Sequence, residues 1–233
     1  MKTMTTRRAQ LLLCACLPLE AQFKDIFGKL KPKPGSDKNG LGIKEALSIG
    51  LTNAVGLASR PDGFFASALI KILLPEKLRP VEKGLRLVGA GKLIDDFVLG
   101  MNRAAEKAAP AAKDIFLGAL KQMTITDALQ LLRGGDTAAT DFFRKTTSDK
   151  LVTAFRPPIS ESMQAVGAMK AFNDMTARFK QIPFMRTDSI DIEGYVTTKA
   201  VDGIFLLVAE EEKQIRTNPA ARITPLLKEV FGR

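Results

Sequence analysis

The stretch that decides the fold is residues 123–147, MTITDALQLLRGGDTAATDFFRKTT. It predicts a helix, a two-glycine turn and a second helix, because leucines recur at helical spacing before the glycines and bulky phenylalanines follow them. Thr124 is the expected N-cap of the first helix, with its hydroxyl accepting from the backbone N–H of Asp127. Gly134 suits the left-handed residue that closes many helices. The stretch therefore predicts two helices that meet at a corner.

The corner itself, residues 133–137 (RGGDT), has two interpretations. It would form an anion cradle if the backbone N–H groups at the start of the second helix pointed at a bound ligand. Ordinary capping of that helix by Asp136 or Thr137 explains the same residues. The phosphate-binding pattern of four spacer residues followed by Gly-Lys-Ser/Thr is absent, so we favour the capped corner.

Composition excludes several classes of site. The chain has 233 residues, 45% of them hydrophobic, no histidine, and two cysteines, Cys14 and Cys16. Ser-His-Asp and Cys-His nucleophilic sites, histidine metal sites and cysteine-rich clusters are therefore ruled out. No spacing typical of a calcium loop occurs either. We expect no metal and no cofactor, and a binding protein agrees with this composition better than an enzyme does.

The net charge of +10 is less informative than it looks. Residues 1–34 contain seven basic and two acidic residues, so half of the excess lies in this short segment. In the rest of the chain basic residues are interleaved with acids, and no strip of alternating basic and aromatic residues occurs. We expect no nucleic-acid partner.

The N-terminus has the arrangement of a secretory signal peptide. Residues 1–8 are basic, residues 11–19 are mostly apolar, and the small residue Ala21 follows. The apolar run is too short to cross a bilayer, and no later segment reaches transmembrane length. We predict a signal peptide at residues 1–21 and export to the periplasm. A loose lipoprotein motif that would leave Cys16 acylated is one alternative, and a cytosolic chain is another.

Beyond the signal peptide, residues 22–40 predict a polar linker rich in proline and glycine. Residues 41–233 predict one compact all-α domain of roughly eight helices. Residues 64–74 are compatible with a strand or with irregular backbone, so a short extended segment near residues 70–74 is left open. The helical spacing of apolar residues predicts helices at residues 42–59, 75–88, 92–109, 110–122, 124–133, 159–181, 191–216 and 224–231. The second helix of the corner is expected to stop before Pro157.

Polar residues on two predicted helices form the best candidate site. Asn102, Arg103 and Glu106 lie on one helix, and Thr140 and Arg144 on another. Residues three or four apart share a helix face, so packing of the two helices would create a half-buried cluster. An arginine there could bind a carboxylate or phosphate ligand. A structural network of ion pairs and caps explains the same residues, and we favour it.

Asp202 and Glu210 complete the candidates. Asp202 interrupts an apolar helix and needs a cationic partner, for which Arg103 or Arg144 is suitable. Glu210 begins a run of three glutamates that could supply paired carboxylates for acid–base chemistry. Neighbouring residues on a helix point about 100° apart, so a solvated face with a Glu212–Arg216 pair is the simpler interpretation.

Several short motifs follow one another from residue 41 to residue 232. They are PDGF (61–64), LPEKL (74–78), MNRAAE (101–106), MT (123–124), AAT (138–140), DGIF (202–205), AEEE (209–212), IR (215–216), PAAR (219–222) and LLKEVFG (226–232). Together they resemble the bacterial domain-of-unknown-function family 4197. The resemblance implies an exported helical protein, mostly of Gram-negative envelopes, with no assigned activity.

Two functional hypotheses are preferred to a third, a cytosolic nucleic-acid binder, which would require that the N-terminus is retained. The first is a non-enzymatic periplasmic protein that binds an envelope partner or a small apolar or anionic ligand, and it requires an open pocket. The alternative is a carboxylate-based hydrolase or lyase with an arginine clamp, using Glu106 or Glu210 as the base. That alternative requires a carboxylate and an arginine to line one open cleft.

Overall fold

A computed structural model describes residues 37–165, 167–180 and 190–217, which belong to the unit Gly35–Arg233. The predicted signal peptide, most of the predicted linker and the predicted helix at residues 224–231 lie outside these residues. The described chain contains eight α-helices and no strand, so the predicted all-α fold is confirmed. The helices are α1 (Asp37–Ser59), α2 (Arg79–Leu87), α3 (Gly91–Ala108), α4 (Ala112–Gln122), α5 (Ile125–Arg133), α6 (Ala138–Ala165), α7 (Ala168–Lys180) and α8 (Ile192–Thr217), with 3-10 helices at Glu76–Leu78 and Ala109–Ala111.

The core lies where the long helices meet. Helix α8 packs against α1 and α6, and α6 packs in addition against α3 and α4. Phe116 of α4 has its ring edge against Phe143 of α6 and Phe205 of α8, with centroids 5.9 and 5.8 Å away. All three rings are fully buried. Such aromatic contacts stabilise a core beyond the area that they bury, so this cluster ties α4, α6 and α8 together.

Helix α1 begins at Asp37, inside the stretch predicted as a linker and five residues before the predicted start at residue 42. Its first turns lie close to α5. A Cβ atom at Gly40 would lie 2.5 Å from Cγ2 of Ile125. Glycine there allows the two helices to approach, and a tertiary contact therefore extends α1 into a polar, glycine-containing segment.

The corner between α5 and α6 agrees with the sequence at its start. The hydroxyl of Thr124 accepts from the N–H of Asp127 at 3.1 Å, and the Asp127 carboxylate accepts from the N–H of Thr124 at 2.9 Å. These reciprocal bonds form a capping box. The Thr124 hydroxyl in turn donates to the Asp127 carboxylate at 2.7 Å. This bond and then the bond from the Thr124 N–H lower the pKa of Asp127, because they stabilise the charged carboxylate.

The prediction for Gly134 is wrong. This residue has φ −73° and ψ 176°, which is extended backbone open to any residue. Its requirement for glycine comes instead from space, because a Cβ atom at this position would lie 2.5 Å from the Cβ of Ala138. The corner is tight because helix α6 starts directly against the end of α5.

The prediction that the second corner helix stops before Pro157 is also wrong. Helix α6 continues through Pro157 and Pro158 to Ala165. A proline inside a helix costs about 3 kcal/mol. Fully burying one large apolar side chain contributes about 1.5–3 kcal/mol, and a stripe of four fully buried residues at spacings of four continues through the prolines: Leu151, Phe155, Ile159 and Met163. The packing of this stripe outweighs the local cost.

The expected long helix over residues 159–181 is consequently divided. Its first part belongs to α6, and a break at Gly167, which has φ +71°, separates it from α7. Positive φ is accessible to glycine at no steric cost. The break allows α7 to turn and pack against α3.

Candidate functional site

The first helix turn of α6 binds a carboxylate of the chain itself. Glu212 of α8 accepts hydrogen bonds from the N–H groups of Ala139 and Thr140, at 3.0 and 2.8 Å, and from the Thr140 hydroxyl at 2.8 Å. Arg216 donates to the same carboxylate through Nε at 3.0 Å and Nη2 at 2.8 Å. Arg216 also donates to the carbonyl of Leu131 at 3.0 Å. This network joins α5, α6 and α8.

The network has no room for an external ligand. Glu212 and Arg216 are buried, with only 4% and 9% of their side chains exposed. The cavity beside them measures about 30 Å³, far below the range of about 300–1,000 Å³ typical of small-molecule sites. Helix N-termini do bind anions, but the anion held next to the corner is Glu212. The predicted solvated Glu212–Arg216 pair is therefore a buried structural pair.

A second network is built around Glu106 of α3. Its Oε1 accepts from the N–H groups of Phe64 and Phe65, both at 3.1 Å. Its Oε2 accepts from Arg103 at 2.7 Å, and Arg103 also donates to Asp62 at 2.7 Å. The hydrogen bond to Glu106 raises the pKa of Arg103, and that to Asp62 contributes further. Glu106 thus fixes the turn at residues 61–66 onto α3.

Asn102 supports the segment that follows this turn. Its side-chain oxygen accepts from the N–H of Ile72 and its NH₂ group donates to the carbonyl of Ile72, both at 2.8 Å. The Asn102 amide thus makes the two hydrogen bonds with the Ile72 backbone that a neighbouring strand would make in a sheet. Residues 71–75 have neither helix nor strand structure, so the segment left open by the sequence is irregular backbone, which Asn102 holds at Ile72.

The remaining candidates lie apart from these networks. Arg144 of α6 donates to Asp202 of α8 at 3.0 Å, and its guanidinium lies 4.5 Å from the centroid of Phe205. Arg144 is thus the partner of Asp202. Glu210 lies exposed on α8. The two predicted helices do pack together, but Asn102 and Glu106 contact residues 64–72, whereas Thr140 contacts Glu212, so they do not form the single cluster that we expected.

An open groove of about 700 Å³ lies between residues 69–79 and helix α8. This volume is within the range of about 300–1,000 Å³ typical of small-molecule sites. Two contacts set the relative position of the walls. The Tyr195 hydroxyl donates to the carbonyl of Leu73 at 2.9 Å, and a Cβ atom at Gly203 would lie 3.2 Å from the Cβ of Ile70. The walls therefore run antiparallel.

The groove presents leucines and lysines together. Leu69, Leu73 and Leu206 are 48%, 59% and 42% exposed. The acids that line it are neutralised by arginines, through the pairs Arg79–Glu76, Arg156–Asp191 and Arg144–Asp202. Among the described ion pairs none involves the lysines of the groove, which are Lys71, Lys77 and Lys199. An apolar surface with unneutralised positive charge results.

Comparison with protein families settles the relationship of the chain to known proteins. A family model described as protein of unknown function (DUF4197) matches residues 34–232. The chain belongs to this family. Comparisons with curated proteins and with solved structures each found no match.

The motifs that carried the resemblance to DUF4197 meet in the structure. Asp62 of PDGF is bound by Arg103 of MNRAAE, and Thr140 of AAT is bound to Glu212 of AEEE. Gly203 of DGIF faces Phe64, since a Cβ atom there would lie 2.8 Å from its ring. In this family member the motif residues thus hold distant segments together.

The sequence predicted the pairing of Glu212 with Arg216 but not its burial, although a signal for burial was present. Glu212 falls on the same helical stripe as Phe205, Val208 and Ile215, at spacings of three and four residues. These neighbours are buried. A carboxylate on an apolar stripe predicts a buried, paired group, and this stripe distinguishes Glu212 from exposed Glu210. The groove had no such signal, because its walls are far apart in sequence.

Proposed function

We propose that this protein is a non-enzymatic binding protein of the bacterial envelope, whose groove takes a ligand that combines apolar surface with negative charge. The observation that carries the proposal is the exposure of leucines beside lysines that have no carboxylate partner in the described chain. Exposed apolar patches in concave surfaces are typical of binding sites. The three lysines would complement an anionic group on the ligand.

The contacts favour binding without catalysis. A hydrolase or lyase of the type considered would need Glu106 or Glu210 and an arginine on one open cleft, and neither glutamate lines the groove. Arg103 is committed to Glu106 and Asp62, and Glu106 uses both oxygens to hold the turn and Arg103. The acids in the groove are each paired to an arginine.

Replacement of Leu73 by serine should weaken binding of an apolar anion to the groove. The probe is 1-anilinonaphthalene-8-sulfonate, titrated by its own fluorescence into the full chain. Loss of one leucine contact of about 1.5 kcal/mol corresponds to about a tenfold increase in Kd. The matched control is Leu87→Ser, because Leu87 is 87% exposed and does not line the groove. If both variants bind the probe as the natural chain does, the groove is not the site.

Export is the second part of the proposal, supported by the basic, apolar and small segments of residues 1–21. Expression in a Gram-negative host and intact-mass measurement of the periplasmic fraction should give a mature chain that starts at or near residue 22. A chain that starts at an acylated Cys16 would instead support anchoring as a lipoprotein. Recovery of the protein from the cytosol with Met1 retained would contradict export. Within the described residues, no helix has the length and apolar character to cross a membrane.

A further inference from the structure

The two walls of the groove present the same order of side chains. On the first wall Leu69, Lys71 and Leu73 are exposed, and the residues between them, Ile70 and Ile72, are buried. Residues 68–70 form a turn, and residues 71–75 have neither helix nor strand structure. The alternation of exposed and buried side chains places an ammonium group between two apolar side chains along the edge of the groove.

Helix α8 repeats this order on the second wall. Tyr195, Lys199 and Leu206 line the groove in turn. Two contacts fix the register of the walls: the hydrogen bond from Tyr195 to Leu73 and the close approach of Gly203 to Ile70. In this register Lys199 lies across from Lys71. Along the helix axis, Tyr195 and Lys199 are separated by about 6 Å, and Lys199 and Leu206 by about 10 Å.

Both ammonium groups rest on aromatic rings. The Nζ atom of Lys71 lies 4.1 Å from the centroid of Phe65, and that of Lys199 lies 5.9 Å from the centroid of Tyr195. The nearby acid on α8, Asp202, is held by Arg144 at 3.0 Å. Positive charges from both walls therefore line the groove, with apolar side chains on either side of them.

We propose that the occupant of this groove is an extended peptide segment of a partner protein, with an acidic residue flanked by apolar residues two positions away on each side. In an extended chain, side chains at i and i±2 lie on one face about 6.6 Å apart. Such a peptide presents the order apolar, anionic, apolar, which complements the order apolar, cationic, apolar of both walls. A fatty acid carries its charge at one end and would leave one of the two apolar patches uncovered. This inference rests on the proposed function of the groove.

The test uses the full chain and calorimetric titration with the peptide acetyl-GLSESLG-amide. We expect saturable binding, and no binding of the peptide with lysine in place of glutamate. Lys199→Glu should weaken binding of the glutamate peptide by about tenfold or more, because like charges then meet. The same variant should bind the lysine peptide, which rescues the interaction by exchange of charges. Lys113→Glu, an exposed change away from the groove, should alter neither affinity.

The outcomes separate this inference from the proposal on which it rests. If dodecanoate displaces 1-anilinonaphthalene-8-sulfonate from the groove while the glutamate peptide does not bind, the peptide inference is wrong and the groove remains a ligand site. If both peptides bind equally well to the natural chain, the lysines do not select the charge and the inference is again wrong. If neither the peptide, dodecanoate nor the fluorescent probe binds, both proposals fail.

Discussion

Replacing Glu212 by alanine should lower the free energy of unfolding by about 3–5 kcal/mol, because breaking a buried ion pair by removing one of its members is strongly destabilising. Arg216 would lose the carboxylate that accepts hydrogen bonds from its Nε and Nη2 groups. Two N–H groups at the start of α6 would lose their acceptor at the same time. Urea unfolding followed by circular dichroism at 222 nm measures the change.

The control for this change is Glu210→Ala, two residues away on the same helix. Glu210 is exposed, and surface substitutions of this kind usually change stability by less than about 0.5 kcal/mol. Glu212→Gln keeps oxygen and nitrogen atoms in place but removes the charge, so its effect should lie between the two alanine variants. Equal stabilities of the Glu210→Ala and Glu212→Ala proteins would contradict the buried network.

Replacing Glu106 by alanine should lower the free energy of unfolding by about 3 kcal/mol. The N–H groups of Phe64 and Phe65 lose their acceptor, and an unpaired buried polar group costs about 1–3 kcal/mol. The effect should be smaller than that of Glu212→Ala, because Arg103 keeps Asp62 as a partner and is 35% exposed. The same urea titration provides the measurement.

Two further variants make this prediction specific. Glu106→Gln retains an oxygen that can accept from the two N–H groups, so it should recover part of the lost stability. Glu161→Ala removes a carboxylate that is 76% exposed and lies 4.0 Å from Lys107, and exposed pairs contribute about 0–1 kcal/mol. A loss for Glu161→Ala as large as that for Glu106→Ala would show that Glu106 has no special structural role.

Features that depend on near neighbours were predictable. The capping bonds between Thr124 and Asp127 connect residues three apart. The spacing of apolar residues predicted a helix at residues 191–216. The observed helix α8 is Ile192–Thr217, so the bounds differ by one residue at each end. Propensity, capping and periodicity act within about one helical turn, so a single sequence contains the information that they need.

Where local rules compete with packing, the sequence alone was misleading. The prolines of α6 should end a helix, but the buried stripe from Leu151 to Met163 keeps it continuous. Gly134 was expected to adopt the left-handed conformation, but its close contact with Ala138 is what requires a glycine at this position. In both cases the deciding contact is with side chains whose position depends on how the helices pack.

The sequence by itself determined the family, the helical class, most helix positions and the absence of histidine. Only the tertiary structure decided which charged groups are buried and where an open surface remains. Glu212 meets Ala139 across 73 residues of sequence, and Leu73 meets Tyr195 across 122. Helical periodicity defines which residues share a face, but the register between two faces depends on side-chain packing over the whole core. That register places a carboxylate inside the corner of α5 and α6, and it sets two lysines opposite each other in the groove.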